Sequence, residues 1–408
     1  MRDLLPDLIR SGYEAIPGAR ARHSNHHSFA VRLLGRPAAV VRGEEASRHF
    51  YDRSAVRRRG AVPAALANLL FGRGAVHGLD GDEHLARKEM FLEILDDSST
   101  DDLAEQVGRD LTTRSIAWAG REIAVFDELV SVYGRCVQSW VGIEHPSEKV
   151  SRDLAAIVDG FGGAGTAYPR AWLARRRCER WARRLIHGVR AGRISAASGS
   201  ALEAVAFGSG ADLGTRVAAV ELINVLRPTV AVAWPATFAV RALWDHPAWA
   251  SSLSDREHGE ARKAFADEVR RTFPFVPALA ATAVRDATVD GVDVRRGQRL
   301  ILDVPGTNTD PRHWRAADRF DPARFLEAQP SAHQFVPQGG GHAETGHRCP
   351  GEPLTVKLMA ETLRVFSCIG FTVTAESAYD STRIPTTPSD GLRVTVPPVG
   401  QRQEREAT

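Results

Sequence analysis

The segment 218–235 constrains the fold of this chain more than any other stretch. From Ala218 it runs through Leu222, Ile223, Val225, Leu226, Val230 and Val232 to Pro235. Apolar side chains thus lie on every side of a helix that holds one carboxylate, Glu221, and one cation, Arg227. A helix that is apolar all round belongs in the middle of a helical protein. Pro228 and Pro235 each remove a backbone donor, for the carbonyls of Asn224 and Ala231, so the spacing predicts bends there. A charge inside such a helix must be paired or hydrated. Arg227 therefore requires an anion, unless it snorkels from a helix end or pairs with a protein carboxylate such as Glu221.

A second constraint lies near the end of the chain. Phe335 leads into Gln338, Gly339, Gly340, Gly341 and His342, and then into Gly346-His347-Arg348-Cys349-Pro350-Gly351-Glu352. One cysteine sits in a glycine-rich loop that opens a helical pattern. Backbone N–H groups, a helix N-terminus, His347 and Arg348 all offer to lower the pKa of its thiol, which makes Cys349 a metal-ligand candidate with haem iron as the natural guest. A lone buried cysteine is more often inert, and here the glycines set Cys349 apart.

Composition narrows the rest. Over 408 residues the formal charge is only +3, with signs mixed, so no nucleic-acid footprint is expected. Cys136, Cys178, Cys349 and Cys368 show no zinc spacing and suggest a reducing compartment. The N-terminus carries charges and Pro6 where an anchor or leader would need an apolar run, so a cytoplasmic protein without a membrane anchor is expected. Residues 31–34 and 38–41 read as a hairpin around Gly35, Arg36 and Pro37, although neither arm alternates strictly, with a helix from Glu44. The stretch 101–249 is dominated by helical periodicity, with loops at 160–165 and 195–210. Strands return around Asp290 and at 299–304. The fold class is mainly α with small β-sheets, as one domain over 1–400 and a polar tail at 401–408. Basic runs such as Arg57-Arg58-Arg59 and Arg175-Arg176-Arg177 read as solvated surface.

The cysteine loop resembles the haem loop of the cytochromes P450, whose pattern is Phe-x-x-Gly-x-(Arg or His)-x-Cys-x-Gly before a long helix. His347, Cys349 and Gly351 match it. The family Phe falls on His342 and the family Gly on Thr345, with Gly346 one place late and Phe335 upstream across an enlarged insert. That altered loop is similar to the branch that oxidises fatty acids with hydrogen peroxide. The order of motifs agrees: Glu268 and Arg271 in an E-x-x-R pattern, then the segment 307–314, then Phe320 to Phe325 containing Arg324, then Cys349. The resemblance implies a cytochrome P450 fold, with haem b (iron protoporphyrin IX) between the central helix and the axial Cys349. It further implies a structural network of Glu268, Arg271 and Arg324, and His84, Lys88, Arg58 and Arg348 directed to the haem propionates.

Ordinary members carry an acid–alcohol pair in the central helix to activate O2. Here Arg227 and Pro228 stand in its place. In the peroxide-using branch that arginine binds the substrate carboxylate above the iron, and the held carboxylate replaces the missing acid–base residue. The resemblance therefore implies a long-chain fatty acid as substrate, hydrogen peroxide as co-substrate and no required redox partner. Oxidation falls at Cα or Cβ, with decarboxylation to a terminal alkene as a further outcome. The catalytic set is Arg227, Pro228 and His77, histidine at position 77 being more like the alkene-forming members. Leu70, Phe71, Phe161 and Ala164 are candidates to line the channel for the alkyl tail, and each is equally compatible with plain core. Two other readings remain open at this point: a conventional monooxygenase fed by a ferredoxin or flavodoxin, and a catalytically idle haem-binding sensor.

Overall fold

A computed structural model describes residues 2–162, 165–273, 275–375 and 378–398. Ala164 and the tail 401–408 lie outside the described residues. Helices dominate, and the apolar segment singled out above runs through their middle as Thr215–Ala231 followed by Ala233–Asp245. Taken together, 215–245 is the one helix among the described residues long and apolar enough to cross a membrane, and 89% of its most apolar window is buried inside the protein. It packs on Val125–Val141, Glu148–Asp159 and Ala167–Arg190. The expected two bends reduce to one interruption, at Val232, whose N–H bonds back to Thr229. Val232 lies three residues before Pro235, where the donor for the Ala231 carbonyl is missing; around Pro228 the helix continues unbroken.

The first hairpin pairs Phe29–Leu33 with Arg36–Val41 around Leu34 (φ 56°) and Gly35 (φ 74°). Two successive left-handed residues match the twist of the flanking strands, so Arg36 and Pro37 belong to the strand and not to the turn. This hairpin is one edge of a five-stranded sheet that continues through Arg299–Asp303, Ala278–Ala283 and Val56–Arg57. Arg36–Val41 runs parallel to Arg299–Asp303, and the other pairings are antiparallel. Both faces of the sheet are covered: Ala39, Val41, Leu300 and Leu302 face one apolar cluster, Ala38, Val40 and Ile301 the other. Double burial explains why these arms lack alternation. A short helix, Ala201–Ala206, occupies the stretch read as a loop. Its signal was present in Ser200 and Glu203, a capping pattern in which the Ser200 hydroxyl accepts the Glu203 N–H at 3.2 Å.

Below the central helix, Glu352–Ile369 follows the cysteine loop and packs on Asp97–Trp118, Gly259–Thr272 and Ala233–Asp245. The loop itself lies against Ser47 and Tyr51 and is tied to Gly259–Thr272 through Arg270 and Gln338.

Candidate functional site

Burial without a partner singles out Arg227. The residue is 7% exposed, and its Nε has no hydrogen-bond partner. No carboxylate among the described residues forms an ion pair with it. Burial, and secondarily the neighbouring Arg175 guanidinium, lower its pKa to about 10, while Cys349 acts in the opposite direction. It remains a cation at neutral pH. The one carboxylate on the same helix is not available to it. Glu221, 0% exposed, accepts hydrogen bonds from Arg87 at 2.7 Å, the Val76 N–H at 2.9 Å and the Asn224 amide at 2.8 Å. The guanidinium carbon of Arg227 lies 5.9 Å from the centre of the Phe71 ring.

Phe71 in turn stacks on His77, with ring centroids 4.1 Å apart and planes within 12°. His77 keeps exposed surface beside this stack. Burial first, and then Arg227, lower its pKa to about 3, which leaves a neutral imidazole. Leu70 is buried and Phe71 and Phe161 are half-buried. Pro228 follows Arg227 within the helix and supplies no donor.

Cys349 is half-buried and close enough to bias the titration of Arg227. Its N–H donates to the Gln338 carbonyl at 3.1 Å. Burial raises the thiol pKa, opposed by the Gly351 N–H, Lys88 and the Gln338 side chain. This corrects the sequence reading of the loop's cations. His347 stacks on His84 at 3.9 Å and burial holds its pKa down at about 2, so it is neutral. Arg348 is directed to Glu352 at 2.6 Å and to the Gly341 carbonyl at 3.3 Å. The cation that does act on the thiol is Lys88, buried, donating to the carbonyls of Gly346 and Arg348. Arg58 lies over the Phe50 ring at 4.0 Å and donates to the Phe50 and Ala280 carbonyls. Neither Lys88 nor Arg58 has a carboxylate within ion-pair distance among the described residues. Burial and Lys88 hold the pKa of His84 down at about 4.

These features fit a haem. A thiol stands at the start of a helix with N–H groups around it, and Lys88 and Arg58 lack acidic partners. Metal binding would deprotonate the thiol that burial otherwise keeps protonated.

Glu268, Arg271 and Arg324 converge. Arg271 grips Glu268 through two bonds of 2.7 Å and donates to the carbonyls of Ala317 and Arg319 at 2.8 and 2.9 Å. Arg324 approaches the same carboxylate at 3.2 Å. Sequence reasoning missed two further sets. Arg270 bridges Asp267, Gln338 and Glu352, which ties the E-x-x-R helix to the cysteine loop. Arg175, read as surface, is 1% exposed; it pairs with Glu179 at 2.8 Å and donates to the Leu70 and Phe71 carbonyls. Helical periodicity offered a signal, since Ala171, Ala174, Arg175 and Cys178 all fall on the buried face.

Known proteins give the arrangement its context. The cytochrome P450 family model matches residues 250–367. A point variant of cytochrome P450SP alpha superposes with a TM-score of 0.90 at 34% identity, covering 96% of this chain and 98% of that one. Ligand-free cytochrome P450 OleT gives 0.90 at 30% identity, covering 97% of each. Matches to curated sequences include cytochrome P450 monooxygenase buaD of Petromyces alliaceus, 32% identical over 98 residues, 24% of this chain and 18% of that protein. Abscisic acid 8'-hydroxylase 1 of Oryza sativa subsp. japonica is 23% identical over 80% of this chain and 73% of its own length. The chain belongs to the cytochrome P450 family, in the branch of P450SP alpha and OleT to which its cysteine loop and its Arg227-Pro228 pair pointed.

Proposed function

We propose that the protein is a soluble, cytoplasmic haem-thiolate peroxygenase that hydroxylates long-chain fatty acids at Cα or Cβ with hydrogen peroxide, without a redox partner. Terminal alkene formation is its second outcome. A single observation carries this reading: a guanidinium that is buried, charged and without a counter-ion among the described residues, on the central helix within electrostatic reach of Cys349. A structure of an OleT variant is described in complex with arachidonic acid, and one of P450SP alpha with (R)-ibuprophen. Both ligands are carboxylic acids, the chemical class that would neutralise Arg227 here.

Cys349 would hold the haem iron through its thiolate, and His84, Lys88, Arg58 and Arg348 would hold the haem propionates. When bound, the haem supplies the peroxide-dependent oxidising chemistry. Arg227 holds the fatty-acid carboxylate by charge-assisted bonds, and desolvation strengthens that grip. Pro228 lacks the N–H that would otherwise bond to the Asn224 carbonyl at that turn. The held carboxylate takes one proton from peroxide and returns it to the oxygen that leaves as water. Acid and peroxide thus give hydroxy acid and water, or alkene, carbon dioxide and two waters. A headgroup pinned at Arg227 restricts reaction to the adjacent carbons. Phe71, Leu70 and Phe161 border the path of the tail, and the neutral His77 ring contacts the headgroup end.

The test is direct. Purified protein, palmitic acid and peroxide are mixed without any reductase, and products are identified by mass spectrometry. Oxidised acid or pentadecene is expected; no product with peroxide, but turnover with ferredoxin and its reductase, would overturn the proposal in favour of a conventional monooxygenase.

A further inference from the structure

The geometry points to Glu221, Arg87 and Asn224 as a buried positioning unit that sets product selectivity by holding the 71–77 loop against the helix that bears Arg227. This rests on the fatty-acid reading above and names residues that reading does not use. Glu221 is the sole carboxylate among the described residues that joins this loop to the central helix. One of its oxygens receives both the Val76 N–H at 2.9 Å and Arg87 at 2.7 Å, and the other receives the Asn224 amide at 2.8 Å. Each donor also reaches the loop or lies in it. Arg87 donates to the Gly74 carbonyl at 3.2 Å and Asn224 to the Phe71 carbonyl at 3.0 Å, while Val76 immediately precedes His77. Arg175 adds a second donor to the Phe71 carbonyl at 3.2 Å.

The amide of Asn224 has no freedom in this arrangement. Both hydrogens of Nδ2 are used, so its Oδ1 is turned away and is left without a partner. Flipping the amide would set an oxygen against a carbonyl and a carboxylate. Gly72 belongs to the same clamp: its φ of +88° is left-handed, and a Cβ there would collide with the Arg175 guanidinium and Val220. The consequence is geometric. The Phe71 and His77 rings are stacked on each other, and Phe71 lies beside Arg227. Moving the 71–77 loop by a fraction of an ångström displaces both rings relative to the headgroup, and selectivity between adjacent carbons is sensitive to displacements of that order. Glu221, Arg87 and Asn224 bond to one another and to the loop. They act through the loop.

Two measurements on the haem-loaded, full-length protein test this. Glu221→Gln keeps the shape but offers an amide hydrogen to donors, and Arg87→Met removes the half-buried cation. In both, hydrogen exchange of amides in 71–77, followed by mass spectrometry, should accelerate by about tenfold or more relative to the wild type, with Asp97–Trp118 unchanged. The ratio of alkene to hydroxy acid, or of Cα to Cβ product, should move by about threefold or more at an unaltered reduced-carbon-monoxide band, and Arg87→Lys should restore it. A uniform loss of turnover with an unchanged product ratio would overturn the proposal, as would unchanged exchange in 71–77. If Glu221→Gln fails to fold, Arg87→Met and its lysine counterpart decide alone. A wild type that yields no product refutes the peroxygenase reading instead, and the clamp is then judged by exchange.

Discussion

Two arginines of this protein are buried to nearly the same degree and are handled in opposite ways. Arg271, 2% exposed, has every branch of its guanidinium matched: a two-point grip on Glu268 and carbonyls from the segment that follows. Arg227, 7% exposed, has an orphaned Nε and no carboxylate among the described residues, although Glu221 lies on the same helix. Burying a charge is costly unless it is paired, so a protein that leaves one unpaired needs a ligand to complete the pair. Burial alone therefore does not separate a structural cation from a binding cation. What separates them is whether the protein supplies the anion, and here it supplies one to Arg271 and diverts the other to Arg87.

That contrast breaks most visibly at the structural end. Arg271→Met or Glu268→Gln breaks a fully buried ion pair, and a loss of about 3–5 kcal/mol is expected in thermal or urea unfolding. The matching change at the other end, Arg227→Met, should leave the unfolding midpoint unchanged or raise it, because it removes an uncompensated charge. It should instead lower kcat/KM for palmitic acid by about 10²-fold or more. If Arg227→Met were as destabilising as Arg271→Met, the two cations would be of one kind and the distinction would fail. His77→Gln, next to Arg227 but neutral already, should shift product from alkene toward hydroxy acid by a few-fold, about 1 kcal/mol, with little change in acid affinity. The smallest effect is an absence. Burial and Arg227 hold the His77 pKa at about 3 and Arg227 itself titrates only near 10, so neither group changes charge across the neutral range. Between pH 6 and 8 the product ratio should be flat; an inflection near the ordinary histidine value would show that His77 gains a proton during turnover.

The contrast also explains what could be read in the sequence. Arg227, Pro228 and Cys349 were legible because each breaks a local pattern: a cation and a proline in an apolar helix, a cysteine in a glycine-rich loop. The E-x-x-R spacing placed Glu268 and Arg271 on one helical face by periodicity alone. Glu221 was legible only as a residue, not as a partner, since Arg87 meets it across 134 positions of chain. Arg175 was misread as surface because a run of three arginines shows charge but not which one faces inward, and only the packing of Ala167–Arg190 on the central helix decides that. Likewise the loop cations next to Cys349 were expected to act on its thiol. Arg348 is instead engaged by Glu352, and Lys88, over 250 residues away, takes that place. Local chemistry was readable and its allocation among competing partners was not.

The central claim is that the counter-ion of Arg227 is the headgroup of an incoming acid. Calorimetric titration of palmitic acid and of its methyl ester, against wild type and Arg227→Met, tests it with the tail held constant. The wild type should bind the acid about 100-fold more tightly than the ester, close to 2.7 kcal/mol, and the gap should vanish in the variant. Equal affinities for acid and ester in the wild type would contradict the account.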